Sequence, residues 1–202
     1  RPDPRQPASF QIGEPAYLAE TLGVPVVANF RAADLAAGGQ GAPLATLFHV
    51  LVFGRRGRHV CVHNLGGISN VTSIDWRHGH TPAVLAFDTG PANVLLDLAA
   101  RRVTQGRRPC DVDGRLAARG RADELLVSRW LRHPYFRRRP PKSTGRELFG
   151  ERFFADAIGQ LAGRSPADIL ATFTEFTARS IALNYDRHLP APADTVVLCG
   201  GG

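Results

Sequence analysis

The sequence predicts an α/β fold with a mixed sheet, on two observations. Segments of strand-like composition alternate with segments of helical periodicity along the 202 residues, as they do in α/β proteins. Residues 59–62 and 68–74 are strand-like and flank Gly66-Gly67, so they are expected to form a hairpin. Because a hairpin is antiparallel, part of the sheet is antiparallel and the whole is mixed.

The N-terminal elements follow from proline, glycine and apolar residues. Pro15 suits the first position of a helix, and Gly23 suits the residue after its end. An apolar stretch then runs into Arg31 and Asp34, before a glycine-rich loop. The predicted elements are a helix at 16–22, a strand at 24–30, a loop at 36–43 and an apolar helix at 44–53.

The later elements centre on Asp88, which is predicted to stand at the end of a strand at 84–87. The next residues turn into a helix whose apolar side chains follow i, i+3, i+4 spacing, with Thr89 or Gly90 as its cap. Ser165, followed by a proline, is typical of a helix start. The remaining predictions are helices up to residue 103 and around 115–119, 123–132, 147–161 and 166–189, and a buried strand at 195–199.

Composition indicates an ordinary globular protein. Hydrophobic residues make up 44% and charged residues 21%, and no apolar run is long enough to span a membrane. The three cysteines lack C-x-x-C spacing, so reduced thiols are expected and a zinc site is not. The net charge of +7 is spread along the chain, which favours a solvated basic surface over nucleic-acid binding, although residues 135–139 combine aromatic and basic side chains.

The chain is expected to be a fragment. It contains no methionine, including at position 1. A strand and a glycine turn at residues 195–202 would normally lead to a helix that packs back on the sheet.

Glycine turns and one carboxylate form the candidate chemistry. Gly66 and Gly67 lack Cβ atoms, so their main-chain N–H groups can approach a phosphate, although a plain tight turn is the alternative. Asp88 is either a catalytic carboxylate or a residue that caps the next helix. The residues that occur in the order required by a split nucleotide site are Asn64, Gly66, Gly67, Asp88, Gly90, Gly200, Gly201 and Gly202.

Five stretches resemble the anhydro-N-acetylmuramic acid kinase family of the actin-like ATPase and sugar kinase superfamily. They are residues 10–44, HNLGGISNVTSI (63–74), AFDTGPANVLLDL (86–98), KSTGRELF (142–149) and VLCGGG (197–202). Members of that family are longer, with a G-T-S-x-D-G phosphate loop near the start and a helical segment after the glycine triplet. The resemblance implies a two-lobed fold, with about 1–55 ending the first lobe and crossing over, and about 56–202 in the second lobe.

The resemblance implies a cytoplasmic kinase of peptidoglycan recycling. With ATP and Mg²⁺ it would phosphorylate O6 of 1,6-anhydro-N-acetylmuramic acid while water opens the anhydro ring. Asp88 falls on the family's general base, and Ala92 stands where the family usually has a second glycine in F-D-T-G-P-G-N. The implied cofactor-binding residues are Asn64, Gly66, Gly67, Gly90, Gly200, Gly201 and Gly202, and the implied substrate-binding residues are Arg31, Asp34, Gln40, Asn93 and Lys142.

Other functions remain open at this stage. Arg31 and Asp34 could form a structural ion pair instead of binding the sugar. The chain could be a non-catalytic relic of the fold, or a sugar kinase with another substrate, and the fragment alone is expected to be inactive. The partners expected are the sugar and, as one option, a second copy of the chain, with neither nucleic acid nor a membrane, and the metal ligands are not assigned.

Overall fold

The computed structural model describes residues 12–39 and 41–202, and within them it has the predicted α/β architecture with a mixed sheet. The strands are β1 (His59–Leu65), β2 (Ile68–Asp75), β3 (Ala83–Pro91) and β4 (Thr195–Gly200). The α-helices are α1 (Pro15–Leu22), α2 (Phe30–Ala36), α3 (Thr46–Phe53), α4 (Asn93–Val103), α5 (Glu124–Trp130), α6 (Arg146–Phe149), α7 (Glu151–Gln160) and α8 (Pro166–His188). Short 3₁₀ turns lie at Val112–Gly114, Ala117–Arg119 and Pro134–Arg137.

The sheet has the strand order β3-β2-β1-β4. β1 and β2 form the predicted antiparallel hairpin, in which Leu65 pairs with Ser69 around the two glycines. β3 is antiparallel to β2, whereas β4 is parallel to β1 and follows the long helix α8. The parallel pairing places Gly200 beside Leu65, so the glycine triplet lies at the same end of the strands as the hairpin turn.

Helices cover both faces of the sheet. On one face the end of α8 packs through Tyr185 and Leu189 on a cluster formed by Cys61, Val71 and Phe87. On the other face α3 contacts β1 and β2, and its buried His49 Nδ1 lies 2.9 Å from Thr72 Oγ1. Burial from both sides fixes the register of the strands, because a slip by one residue would exchange the two faces.

An aromatic core beside the sheet holds the helices together. Trp130 stacks on Phe173 with ring centroids 5.3 Å apart, and Phe176 meets Trp130 edge-on at 5.4 Å. Phe149 joins the same cluster and is fully buried. The helix α8 begins at its predicted cap, where Ser165 Oγ accepts the N–H of Asp168 at 3.1 Å, so its apolar face enters this core in a fixed position.

The strand predicted at 24–30 is wrong. Residues 25–29 have no regular structure, and Phe30 already begins α2, which carries Arg31 and Asp34. Pro25 lacks the N–H that a central strand needs. The apolar side chains are open to solvent, with Val27 at 75% exposure, so no packing stabilises a strand here.

The segment around Asp88 also differs from its prediction. β3 continues through Pro91 instead of ending at residue 87, so Asp88 lies inside the strand. Neither Thr89 nor Gly90 caps the next helix, because Ala92 occupies the cap position and makes no side-chain cap bond. The strand is prolonged by pairing with β2, which runs to Ile68–Pro91 across an irregularity beside Ser69.

Three further elements depart from prediction. The helix predicted at 147–161 is two helices, because the chain bends at Gly150 with φ −112° and ψ −146°. The segment 115–119 contains only a short 3₁₀ turn at its end. β4 is mostly exposed, not buried, since it lies at the edge of the sheet in the described part of the chain.

Two other features concern the molecule as a whole. Within residues 12–39 and 41–202, no helix has both the length and the apolar composition needed to cross a membrane. Cys61, Cys110 and Cys199 carry free thiols.

Truncating the aromatic core tests this packing. Phe176→Ala is expected to lower the free energy of unfolding by about 3–5 kcal/mol, because it removes a fully buried ring and leaves a cavity. Leu125→Ala, at a leucine that is 81% exposed on α5, is the control and is expected to change it by less than about 0.5 kcal/mol. Denaturant titration of both variants gives the comparison, and equal losses would contradict the proposed core.

Candidate functional site

Asp88 faces a cavity of about 620 Å³ between β3 and the N-terminal segment. The cavity is open enough for a small molecule, since ligand pockets commonly measure about 300–1,000 Å³. Its lining combines one carboxylate from the sheet with residues of two loops and of helices α2 and α6. The lining residues are Arg31, Gly41, Ala42, Leu44, Asp88, Ser143, Thr144, Gly145 and Glu147.

Three hydrogen bonds hold Asp88 in place. Its N–H donates to the carbonyl of Lys142 at 3.1 Å, and its carbonyl accepts the hydroxyl of Tyr135 at 2.6 Å. The N–H of Thr144 donates to the carboxylate Oδ2 at 2.9 Å. The main chain and the side chain of Asp88 are therefore both fixed by the segment 135–144.

The environment of Asp88 suits a general base. The residue is only 6% exposed, and this burial raises the pKa of its carboxyl to about 6, with a further contribution from the charge of Glu147. The Thr144 N–H acts in the opposite direction, because it stabilises the charged form. A base whose pKa lies near neutrality is ionised in the cell and still accepts a proton effectively.

Arg31 and Asp34 both hold the main chain of Gly41. Arg31 Nε donates to the Gly41 carbonyl at 2.9 Å, and the Gly41 N–H donates to Asp34 Oδ2 at 2.6 Å. Among the described contacts, the structure gives no ion pair between these two side chains. Arg31 also lines the Asp88 cavity, whereas Gln40 lies outside the described residues.

The hairpin turn is joined to the start of α4. The carbonyl of Gly66 accepts the N–H of Asn93 at 3.0 Å, and the carbonyl of Gly67 accepts the N–H groups of Ala92 and Val94, each at 3.1 Å. Because the C=O and N–H of a trans peptide point in opposite directions, the N–H of Gly67 points away from α4. Gly67 is exposed, so this N–H is available to an anion.

The glycine triplet packs against the hairpin turn. The N–H of Gly202 donates to the Leu65 carbonyl at 3.0 Å, and Asn93 Nδ2 donates to the same oxygen at 3.2 Å. Gly200 has φ 109°, and a Cβ there would lie 2.6 Å from that carbonyl and 2.8 Å from Asn64 Oδ1. Close approach of the two turns therefore requires glycine at position 200.

A second cavity of about 660 Å³ opens beside the glycine triplet. It is lined by the end of the glycine triplet, by α4, by the segment 110–114 and by α8, and its residues include Asn93, Asp97, Cys110, Asp111, Gly201 and Gly202. Asp88 lies three residue positions from Gly67 through its pairing with Asn70, which corresponds to roughly 10 Å along the strands. The carboxylate and the two glycine turns therefore lie toward the same end of the strands.

Gly90 and Lys142 line neither of these two cavities. Gly90 is buried with φ 138°, and a Cβ there would lie 3.0 Å from Phe136 Cε1 and 3.2 Å from Ser180 Oγ, so packing requires its glycine. Lys142 is 5% exposed and is not among the residues that line the Asp88 cavity. Thr144, Tyr135 and Glu147 were not predicted, although two of them belong to the KSTGRELF stretch.

The described residues contain no cluster of three histidine, cysteine or acidic side chains that could hold a metal ion. Magnesium in phosphoryl-transfer sites is commonly bound by one or two carboxylates together with water and phosphate oxygens. Glu147 lines the cavity together with Asp88, so its carboxylate fits that smaller requirement.

The mixed α/β sheet, the two glycine turns and the buried carboxylate agree with the class that the resemblance predicts, part of an actin-like ATPase and sugar kinase fold. The sequence model of the family described as anhydro-N-acetylmuramic acid kinase matches residues 1–202, and the chain belongs to this family. The resemblance found in the sequence is confirmed.

Several curated relatives bear the name anhydro-N-acetylmuramic acid kinase. The chain is 46% identical to the protein of Synechocystis sp. over 198 residues, which cover 96% of this chain and 51% of that protein. It is 46% identical to the Acaryochloris marina protein over 199 residues and 44% identical to the Crocosphaera subtropica protein over 202 residues, in each case over 96% of this chain and 52% of the relative. The chain spans about half the length of the curated relatives it matches.

Two glycine substitutions test the packing at position 90. Gly90→Ala is expected to lower the free energy of unfolding by roughly 1–3 kcal/mol, because the added methyl group meets Phe136 in a backbone conformation that alanine avoids. Gly159→Ala, on α7 where a Cβ meets nothing within 4 Å, is the control and is expected to gain about 0.5–1 kcal/mol. A Gly90→Ala protein as stable as wild type by thermal unfolding would contradict the packing role.

Proposed function

We propose that the full-length protein is an ATP-dependent kinase that phosphorylates O6 of 1,6-anhydro-N-acetylmuramic acid while water opens the anhydro ring. The product is N-acetylmuramic acid 6-phosphate, and the reaction belongs to peptidoglycan recycling in the cytoplasm. The observation that carries this proposal is the buried carboxylate of Asp88 in a cavity of about 620 Å³. Asp88 pairs with Asn70, which is three residues from the glycine turn at Gly67. The names of the relatives support the choice of sugar.

Asp88 acts as the general base in this proposal. The carboxylate takes a proton from the attacking water as O6 gains the phosphoryl group. The Thr144 N–H holds one carboxylate oxygen in a fixed direction, which orients the other lone pairs toward the cavity. With a pKa of about 6, most of the carboxyl is ionised at pH 7.

Arg31 is the proposed contact for the lactyl carboxylate of the sugar. Its Nε is occupied by the Gly41 carbonyl, so the terminal nitrogens carry the donors that remain for a ligand. A guanidinium matches a carboxylate with two parallel hydrogen bonds. Arg31 lines the same cavity as Asp88, which supports this assignment.

The nucleotide is proposed to lie along the two glycine turns. The Gly67 N–H would donate to a phosphate, and the cavity beside Gly201 and Gly202 would receive the adenosine. A bound Mg²⁺ would neutralise charge on the phosphates. Glu147 lines the same cavity as Asp88, and its carboxylate is the one proposed to hold the ion, which leaves Asp88 free to accept a proton.

An ADP-coupled assay of the full-length protein tests the substrate. We expect ATP-dependent turnover with 1,6-anhydro-N-acetylmuramic acid and at least roughly hundredfold less with plain amino sugars, which lack both the anhydro ring and the lactyl carboxylate. Equal turnover with plain amino sugars would favour a kinase with another substrate. No ADP release with any sugar would favour a non-catalytic relic.

The base role of Asp88 is tested by Asp88→Asn in the full-length protein. We expect turnover to fall roughly 10²–10⁴-fold, because the amide cannot accept the proton, while binding of ATP changes little. The amide oxygen can still accept the Thr144 N–H, so the local structure is retained. Asp156→Asn, at an exposed position on α7, serves as the control, and an active Asp88→Asn enzyme would exclude the base role.

The pH dependence of kcat/KM provides a separate test. Because the base must be ionised, kcat/KM is expected to fall about tenfold per pH unit below a pKa of about 6. Glu147 raises the pKa of Asp88 through its charge, so Glu147→Gln is expected to move this acid limb to lower pH. An unchanged limb in Glu147→Gln, measured with the same buffers and ionic strength, would show that another group controls the profile.

A further inference from the structure

Lys142 is a buried cation without an acidic partner among the described ion pairs. It is the only lysine of the chain and is 5% exposed. Its ammonium lies 4.8 Å from the ring centroid of Tyr135 and 5.7 Å from that of Phe87. It also lies 3.4 Å from Nε2 of His188, which accepts from it. Two aromatic faces and one imidazole therefore hold the charge.

The same residues contact Asp88 directly. The Lys142 carbonyl accepts the Asp88 N–H, and the hydroxyl of Tyr135 donates to the Asp88 carbonyl. Two residues beyond Lys142, the N–H of Thr144 donates to the Asp88 carboxylate. Because Thr144 is only two residues from Lys142, contacts that hold Lys142 against Tyr135 and Phe87 also set the direction from which the Thr144 N–H approaches the carboxylate.

We propose that Lys142 is a positioning residue for Asp88, which holds the segment 142–144 by its ammonium between the rings of Tyr135 and Phe87. This inference rests on the proposed function of Asp88 as the base. It replaces the contact with the substrate that the family resemblance suggested for Lys142, because a side chain buried between two rings does not reach the cavity.

The charges around Lys142 make its hold dependent on pH. Burial first, and then the charges of Arg187 and Arg138, lower the pKa of Lys142 to about 8. His188 on α8 is kept neutral by burial and by the nearby cations, which lower its pKa, and Tyr135 is kept protonated because burial raises its pKa. Above pH 8 the ammonium is lost, and its attraction to the two rings is lost with it.

Lys142→Met in the full-length protein is the main test. Methionine keeps an unbranched apolar chain between the two rings and removes the charge. We expect kcat to fall roughly tenfold or more while KM for ATP stays within about threefold, because the base is misplaced and the nucleotide turns are untouched. The melting temperature is expected to stay level or rise, since an unpaired buried charge destabilises the folded protein.

The carboxyl pKa of Asp88 is the measurement that a purely structural role would not change. It is followed by NMR of protein with ¹³C-labelled aspartate, with the resonance assigned by its loss in Asp88→Asn. In Lys142→Met the Thr144 N–H is expected to be displaced, so the pKa rises above its wild-type value by roughly half a unit or more. Arg129→Met, at an exposed position on α5, is the matched control and should leave kcat and this pKa unchanged.

Tyr135→Phe provides a second variant if Lys142→Met does not fold. It keeps the ring under the ammonium and removes the hydroxyl that holds the Asp88 carbonyl, so the same loss of kcat and rise of the Asp88 pKa are expected. A wild-type Asp88 pKa in the folded variants would overturn the positioning role, whatever their activity. Absence of turnover in the wild type would overturn the proposed function alone, since the pKa comparison does not depend on activity.

Discussion

The hydrogen bond from the Thr144 N–H to the buried carboxylate of Asp88 is the interaction on which the site depends. The pocket already favours the neutral form of the carboxyl, and without this bond the pKa of Asp88 would be raised further. Between pH 3.8 and about 6 the folded protein binds this proton more tightly than the unfolded chain, so stability decreases as the pH rises through that window. Above pH 6 the charged form costs roughly 3 kcal/mol, which the rest of the fold must offset.

The aromatic core offsets that cost and also sets the geometry. Tyr135 and Phe136 are fully buried, and Tyr135 is the residue whose hydroxyl holds the Asp88 carbonyl. Phe136 packs edge-on against Phe176 of α8 with ring centroids 5.9 Å apart. The position of the carboxylate is thus connected through one short segment to the longest helix of the described chain, so packing far from the cavity affects the direction of the carboxylate.

Sequence patterns predicted the parts of the fold that local chemistry determines. The hairpin around Gly66-Gly67 and the cap of α8 at Ser165 follow from glycine, β-branched residues and a serine before proline. The strand predicted at 24–30 failed because apolar composition alone does not supply a neighbouring strand, and Pro25 opposes one. Asp88 was predicted at the end of its strand but lies inside it, since the pairing that prolongs β3 depends on β2.

The partners of Asp88 could not be predicted in the same way. Tyr135 and Thr144 lie 47 and 56 positions further along the chain, and only tertiary packing brings them to the carboxylate. The resemblance implied that Lys142 contacts the substrate. A pattern of charges cannot show whether a lysine faces a cavity or two aromatic rings.

A series of buried hydrogen bonds holds the residue after Asp88 in place while Asp88 titrates. His63 Nδ1 lies 2.9 Å from the Tyr185 hydroxyl, His63 Nε2 lies 2.6 Å from Ser69 Oγ, and Ser69 Oγ lies 2.6 Å from Thr89 Oγ1. Burial lowers the pKa of His63 to about 4, so the imidazole is neutral throughout the range in which Asp88 changes its charge. Thr89 follows Asp88 directly, at the irregularity between β2 and β3. Because its hydroxyl partners do not change between about pH 5 and pH 7, the strand that carries the carboxylate keeps its register in that range, and the proposed acid limb of activity would reflect the proton on Asp88 and not a movement of its strand.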